Sequence, residues 1–150
     1  MKFISHRGNL FGKDASNENN PEYILRAIEK GFDCEIDIWY IEKKFFLGHD
    51  KPQYQIPIDF LNINKDYLWI HCKNIQAILE LQRSPLHFFW HEEDTITLTS
   101  NRIIWAFPGK QPIENSIAVM PEIFDEKNLE NCFGICSDYI QNYRQQYGNI

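Results

Sequence analysis

Two histidines, an arginine, two carboxylates and a lysine stand within or at the ends of short apolar runs of this chain. His6-Arg7-Gly8 closes the run Phe3-Ile4-Ser5, and His49-Asp50 follows Gly48. Glu35 and Asp37 lie inside Phe32-Asp33-Cys34-Glu35-Ile36-Asp37-Ile38-Trp39-Tyr40, and Lys73 ends the run Tyr67-Leu68-Trp69-Ile70-His71-Cys72. That set suits cleavage of a phosphodiester. A histidine titrates near neutral pH, so one can take a proton from the nucleophile while a second gives one to the leaving oxygen. Side chains alternate along a strand, which puts Glu35, Asp37 and Trp39 on one face and Cys34, Ile36 and Ile38 on the other. Two carboxylates on one face are costly to bury unless something cationic lies between them. A hard divalent cation with oxygen ligands fits; a half-exposed edge strand with a solvated acidic face is the alternative. Such a cation would polarise phosphoryl oxygens, and Arg7 and Lys73 would add positive charge.

The elements that must position these groups alternate. Phe3 to His6 reads as a strand, and residues 9–20 as a polar, Asn-rich loop. Asn20 caps a helix opened by Pro21 and Glu22, with Ile24, Leu25, Ala27 and Ile28 as its buried stripe and Gly31 as its stop. The acidic strand follows, then a return strand Phe45-Phe46-Leu47. Residues 51–66 read as a loop. Tyr67 to Lys73 is a strand, and Ile75 to Gln82 a helix with Ile75, Ile78, Leu79 and Leu81 inward. His87 to His91 is a strand, and Thr95 to Ser100 pairs with Arg102 to Phe107 as a hairpin. Ser116 to Met120 and Phe133 to Ser137 are strands, Asp125 to Glu130 is at most a short helix, and a polar helix runs from Asp138 to about Tyr147. Strand–helix alternation favours α/β with parallel strands, and polar residues recur at the C-terminal strand ends, where (β/α)₈ barrels place their chemistry.

Composition narrows the function classes. The 150 residues suit a single domain spanning 1–150. The formal charge is −6 with no Lys/Arg cluster, which argues against nucleic acid as the partner. No apolar run approaches a membrane span, and Lys2-Phe3-Ile4-Ser5-His6 turns polar too early for a secretory signal. Cys34, Cys72, Cys132 and Cys136 match no zinc spacing and read as buried free thiols of a reducing compartment. A cytoplasmic protein is therefore expected.

His6-Arg7-Gly8, Glu18-Asn19-Asn20, Glu35-Ile36-Asp37 and His49-Asp50, in that order, resemble the glycerophosphodiester phosphodiesterase family. That family belongs with the phosphatidylinositol-specific phospholipase C-like phosphodiesterases. The match in order and approximate spacing covers residues 3 to 50 and weakens through Lys73. The resemblance implies a TIM barrel, here compact or truncated, with one site at its C-terminal rim. It implies His6 and His49 as the acid/base pair and Arg7 on the phosphate; it does not say which histidine is the base, and His6 as base with His49 as acid is the order expected here. It also implies Glu35 and Asp37 as ligands of Mg²⁺ or Ca²⁺. A neighbouring hydroxyl of the substrate would attack first and form a cyclic phosphate.

The chain departs from the pattern in three places. His71 stands where the family's third metal carboxylate lies two residues before a lysine, here Lys73. Imidazole suits Mn²⁺ or another transition metal better than Mg²⁺ or Ca²⁺. Asn20 replaces a threonine, one capping residue for another. The length falls well below the roughly 200–250 residues of a usual barrel, so some outer helices should be missing and uncovered faces could favour a homodimer. Glu18 is expected on the substrate side. Trp105 is either core packing or a stacking surface, and Glu122, after a strand, is a further candidate for substrate or metal. The expected function is metal-dependent hydrolysis of a small polyol or glycan phosphodiester. Two alternatives stay open: a non-catalytic phosphate- or sugar-phosphate-binding module, and a cyclising phosphodiester lyase.

Overall fold

Short β-branched and aromatic runs, the central ones buried on both faces, form strands that share one curled sheet. The computed structural model describes residues 1–148. Its elements are β1 (Lys2–His6), α1 (Pro21–Glu29), β2 (Asp33–Ile41), β3 (Lys44–Leu47), β4 (Tyr54–Ile56), α2 (Ile58–Ile63) and β5 (Leu68–Cys72). There follow α3 (Ile75–Leu81), β6 (Phe88–Trp90), β7 (Ile96–Leu98), β8 (Ile104–Ala106), β9 (Ser116–Val119), β10 (Gly134–Ser137) and α4 (Ile140–Tyr147). The order β6-β5-β2-β1-β10-β9-β8 is parallel throughout. β7 closes antiparallel on β8, and β3 and β4 extend antiparallel from the second half of β2.

This mixed α/β sheet curls until its two outer strands meet. The Ser100 amide donates to the Phe88 carbonyl at 2.8 Å, the Phe88 amide to Ser100 Oγ at 3.0 Å, and Thr97 Oγ1 to the Trp90 carbonyl at 3.0 Å. The inner face is packed with Ile4, Trp69, Phe89, Trp105, Ile117, Val119 and Cys136. The opposite face buries Ile36, Ile38 and Ile70 with Ile24, Ala77 and Leu81, and Ile135 with Ala27 and Ile140. Each fully buried aliphatic side chain of this kind contributes about 1.5–3 kcal/mol relative to exposure.

Local signals account for most of the elements. Asn20 Oδ1 accepts from the Glu22 amide at 2.9 Å, with Pro21 at the first helical position. Gly31, at φ +81°, ends α1: its amide bonds the Ile28 carbonyl, and the Phe32 amide reaches that of Ala27. The stripe of α1 is narrower than expected, because Leu25 faces outward. In α3 the buried residues are Ala77 and Leu81, whereas Ile75 and Leu79 are exposed; small Ala77 lets the helix lie close to the sheet. Residues 51–66 are not the expected loop. β4 pairs with β3 and buries Ile56, and α2 buries Leu61. Residues 125–130 hold no α-helix; single 3₁₀ turns occupy Pro121–Phe124 and Leu129–Asn131. All four cysteines are buried and free. Among the described residues, no helix is long and apolar enough to cross a membrane.

Candidate functional site

Parallel register aligns the polar residues. His6 is paired with Glu35, and Asp37 with His71, so the ends of β1, β2 and β5 present one row. Beyond β1 the backbone turns sharply: Arg7 has φ +56° and Gly8 φ +97°. A Cβ at Gly8 would run into the Tyr23 ring, so this turn needs glycine. The turn swings Arg7 back over β2, where its Nε lies 2.8 Å from Asp37 Oδ2 and its Nη1 donates to Glu18 Oε2 at 3.2 Å.

Asp37 is held from two further sides. Asn19 clamps it, accepting from the Asp37 amide at 2.9 Å and donating to Oδ2 at 2.8 Å. Its other oxygen, Oδ1, lies 3.0 Å from His71 Nδ1 and 3.9 Å from Lys73 Nζ. Neither approach to Oδ1 has the alignment of a hydrogen bond, so Oδ1 is buried without a partner, as is Glu35 Oε2. Glu35 spans the gap between histidines: Oε1 is 3.8 Å from His71 Nδ1, and Oε2 is 3.9 Å from His6 Nε2.

The two histidines are fixed differently. His6 Nδ1 is 2.7 Å from Asp138 Oδ1, whose carboxylate can only accept, so Nδ1 carries the proton and Nε2 faces Glu35. Asn9 also donates to Asp138, at 2.8 Å. His71 Nε2 lies 2.9 Å from the His91 carbonyl, so Nε2 donates and Nδ1 faces both carboxylates.

Charge and burial set the protonation preferences. Burial works against a charged His6, but the Asp138 hydrogen bond and the charge of Glu35 outweigh it and raise its pKa. Burial and the neighbouring Asp37 charge raise Glu35. Burial also opposes ionisation of Asp37, yet the His71 contact and the Arg7 charge carry it below the usual carboxylate range. Asp138 follows the same pattern through His6. His49 is lowered, by burial and by the charge of Arg7.

Glu35, Asp37 and His71 each offer one ligand atom, and these lie within 4.8 Å of one another. Two carboxylates with unpartnered buried oxygens, and an imidazole whose far nitrogen donates to a backbone carbonyl, fit a divalent metal. One nitrogen in the set favours Mn²⁺ or another transition ion over Ca²⁺.

The row opens into a cleft of about 640 Å³ that His6, Arg7, Glu35, His49, His71 and Lys73 all line. His49 is the loosest of them. It lies beyond β3, half-exposed, with Nδ1 2.7 Å from Asp50, itself at the surface. Glu18 holds Arg7 and Asn9 and lines a neighbouring hollow that shares Arg7 and His49 with the cleft. Trp105 lines the cleft but is 3 % exposed and packs on Trp69 and Phe89, so it is floor and not a free stacking surface. Glu122 accepts from Ser137 Oγ at 2.8 Å, lies 3.5 Å from Tyr143 Oη, and lines a separate hollow with Tyr139 and Tyr143.

Four residues that position the site, Asp138, Asn9, Asn19 and His91, are not among the site residues expected from sequence. Asp138 and Asn9 converge on His6 only because β1 and β10 pair, which no local pattern announces. Asn19 sits inside the Glu18-Asn19-Asn20 motif beside the helix cap Asn20, and meets Asp37 only through the tertiary fold. His91 lines the cleft and positions His71 through its carbonyl. Comparison with family models, with curated proteins and with solved structures finds no match to this chain.

Proposed function

We propose that the chain is a metal-dependent phosphodiester hydrolase resembling glycerophosphodiester phosphodiesterases, built on a truncated (β/α) barrel of the phospholipase C-like type. The observation that carries this is the Glu35–Asp37–His71 triangle, with two orphan buried carboxylate oxygens, beside His6, Arg7 and Lys73 in one cleft. A divalent cation held there would supply Lewis-acid polarisation of the phosphoryl oxygens.

The chain's own groups do the rest. Arg7 and Lys73 orient the phosphate and offset charge that develops on its oxygens. His6, locked by Asp138 with Nε2 free, takes the proton of the attacking hydroxyl. As the new P–O bond forms, the bond to the departing alcohol breaks and His49 returns a proton to that oxygen. Apolar packing beneath the row, from Trp105 and Val119, limits water on that side. The test is turnover of glycerophosphodiesters and of an aryl phosphodiester with Mg²⁺, Ca²⁺ or Mn²⁺, in wild type and His6→Ala. Equal rates in both would remove the assignment.

One observation favours a second reading, a phosphate-binding module without turnover. Arg7, His71 and Lys73 already surround Asp37 with positive or donor groups, and His49 is only loosely held. Gain of activity in His71→Glu would support it. ³¹P NMR of the product separates hydrolysis from a cyclising elimination.

A further inference from the structure

The cleft has two chemically different halves. The ends of β1, β2 and β5 supply the polar row, whereas the loop after β8 and the 3₁₀ turn after β9 supply Phe107, Pro108, Met120, Ile123 and Phe124. This second half is a built wall. Glu126 Oε1 accepts from the amides of Gly109 and Gln111, at 2.7 and 3.2 Å, and so ties the loop to the turn. Left-handed residues Met120 and Asp125 bracket the turn and set its direction. Ile123 is 57 % and Phe124 64 % exposed, and they continue the apolar floor of Trp105 and Val119 out to the rim. Single exposed apolar residues are ordinary, but a continuous apolar face joined to a charged pocket needs an occupant with the same division.

Where the halves meet lies His91. The residue is 6 % exposed, its ring lies tilted against that of Phe107 with centroids 3.9 Å apart, and both ring nitrogens are buried without a partner. A buried imidazole with no hydrogen bond costs stability unless a ligand supplies one.

We propose that the substrate is a single-chain amphiphilic phosphodiester, whose apolar chain lies along Phe107, Ile123 and Phe124 while His91 bonds an ester or hydroxyl oxygen near the phosphate. This rests on the hydrolase reading for its catalytic arm but not for its binding arm. The occupant follows from continuity: the wall extends the phosphate pocket outward, from half-buried Phe107 and Met120 to exposed Ile123 and Phe124, which suits one chain attached to one phosphate.

Glycerophosphoryl methyl, butyl and hexyl diesters, followed by ³¹P NMR with Mn²⁺, read the catalytic arm. Methyl and hexyl phosphate, titrated by calorimetry, read the wall without turnover. Full burial of a methylene is worth up to a fourfold gain, and a rim-exposed one about twofold. Hexyl over methyl should therefore gain at least tenfold in kcat/KM and in affinity. The double variant Ile123→Ser, Phe124→Ser should erase most of that ratio, and His91→Phe should weaken hexyl and methyl phosphate alike. Turnover with equal kcat/KM along the series overturns the substrate class and leaves the hydrolase standing. No turnover, with hexyl phosphate still bound tenfold tighter, overturns the hydrolase and keeps the wall. Equal binding of both phosphates overturns the wall. Sedimentation with phosphatidylcholine vesicles that depends on Ile123 and Phe124, without chain preference in solution, assigns those residues to a bilayer surface and overturns the single-chain occupant.

Discussion

His71 Nδ1 stands 3.0 Å from Asp37 Oδ1, while the opposite nitrogen of the same ring donates to the His91 carbonyl. The ring therefore has one fixed donor and one nitrogen turned to carboxylates. That nitrogen must either hold a proton or give its lone pair to a cation, and each state has different consequences.

If the lone pair serves a cation, Mn²⁺ will stabilise the fold. At a hundred times its dissociation constant the gain is about 2.7 kcal/mol, visible as a rise in Tm. His71→Ala should weaken Mn²⁺ by at least tenfold, and His71→Glu should shift preference toward Mg²⁺ and Ca²⁺. A Tm indifferent to every divalent ion would remove the metal from the site.

Asp138 tunes His6 from 2.7 Å away, against the cost of burial. Asp138→Asn removes the negative partner, so His6 should titrate lower. With His6 as base, the rising limb of the pH–rate profile moves to lower pH and the plateau drops about tenfold or more. A limb that stays in place would mean that another group sets it.

Asn19 makes two hydrogen bonds to Asp37, one to the carboxylate and one from the backbone amide. Asn19→Ala leaves the Asp37 amide buried and unpaired and the carboxylate with Arg7 as its remaining close partner, at a cost of about 1–3 kcal/mol in denaturant unfolding. Asn19→Asp should be worse, since it sets a second negative charge against the first. Loss of less than about 0.5 kcal/mol would show that the pair is relaxed by solvent.

His87 lies on the far side of the inner core, its ring 4.3 Å from that of Trp69 and its Nε2 unpartnered. Burial lowers its pKa to about 4 from the ordinary 6.5. Between those values the unfolded chain takes up the proton and the folded one does not, so falling pH favours unfolding. Stability should be full above about pH 6.5, decline toward pH 4, and stop declining there on this account. His87→Phe should flatten that window in equilibrium unfolding; an unchanged slope would assign the loss to other groups.

Much of this was legible in the chain. The face shared by Glu35 and Asp37 followed from strand periodicity alone, and α1 from Asn20, Pro21 and Gly31. What was not legible depends on pairings far apart in sequence. Residues 51–66 looked irregular because two prolines masked β4, whose existence rests on the partner strand β3. Glu122 follows a strand, but Ser137 and Tyr143, which it meets, belong to the last strand and helix. Exposed Ile75 and Leu79 satisfied helical spacing as well as buried Ala77 and Leu81 did, since periodicity finds a stripe but not its width.

β1 and β10 are neighbours, and His6 meets Asp138 across 132 positions of chain. Synthesis runs from β1 toward β10, so β1 keeps a bare hydrogen-bonding edge until β10 is made. Closing so long a loop is slow, and the waiting edge is open to foreign strands. The Asp138 carboxylate that fixes the His6 ring therefore reaches it only once β10 has paired with β1.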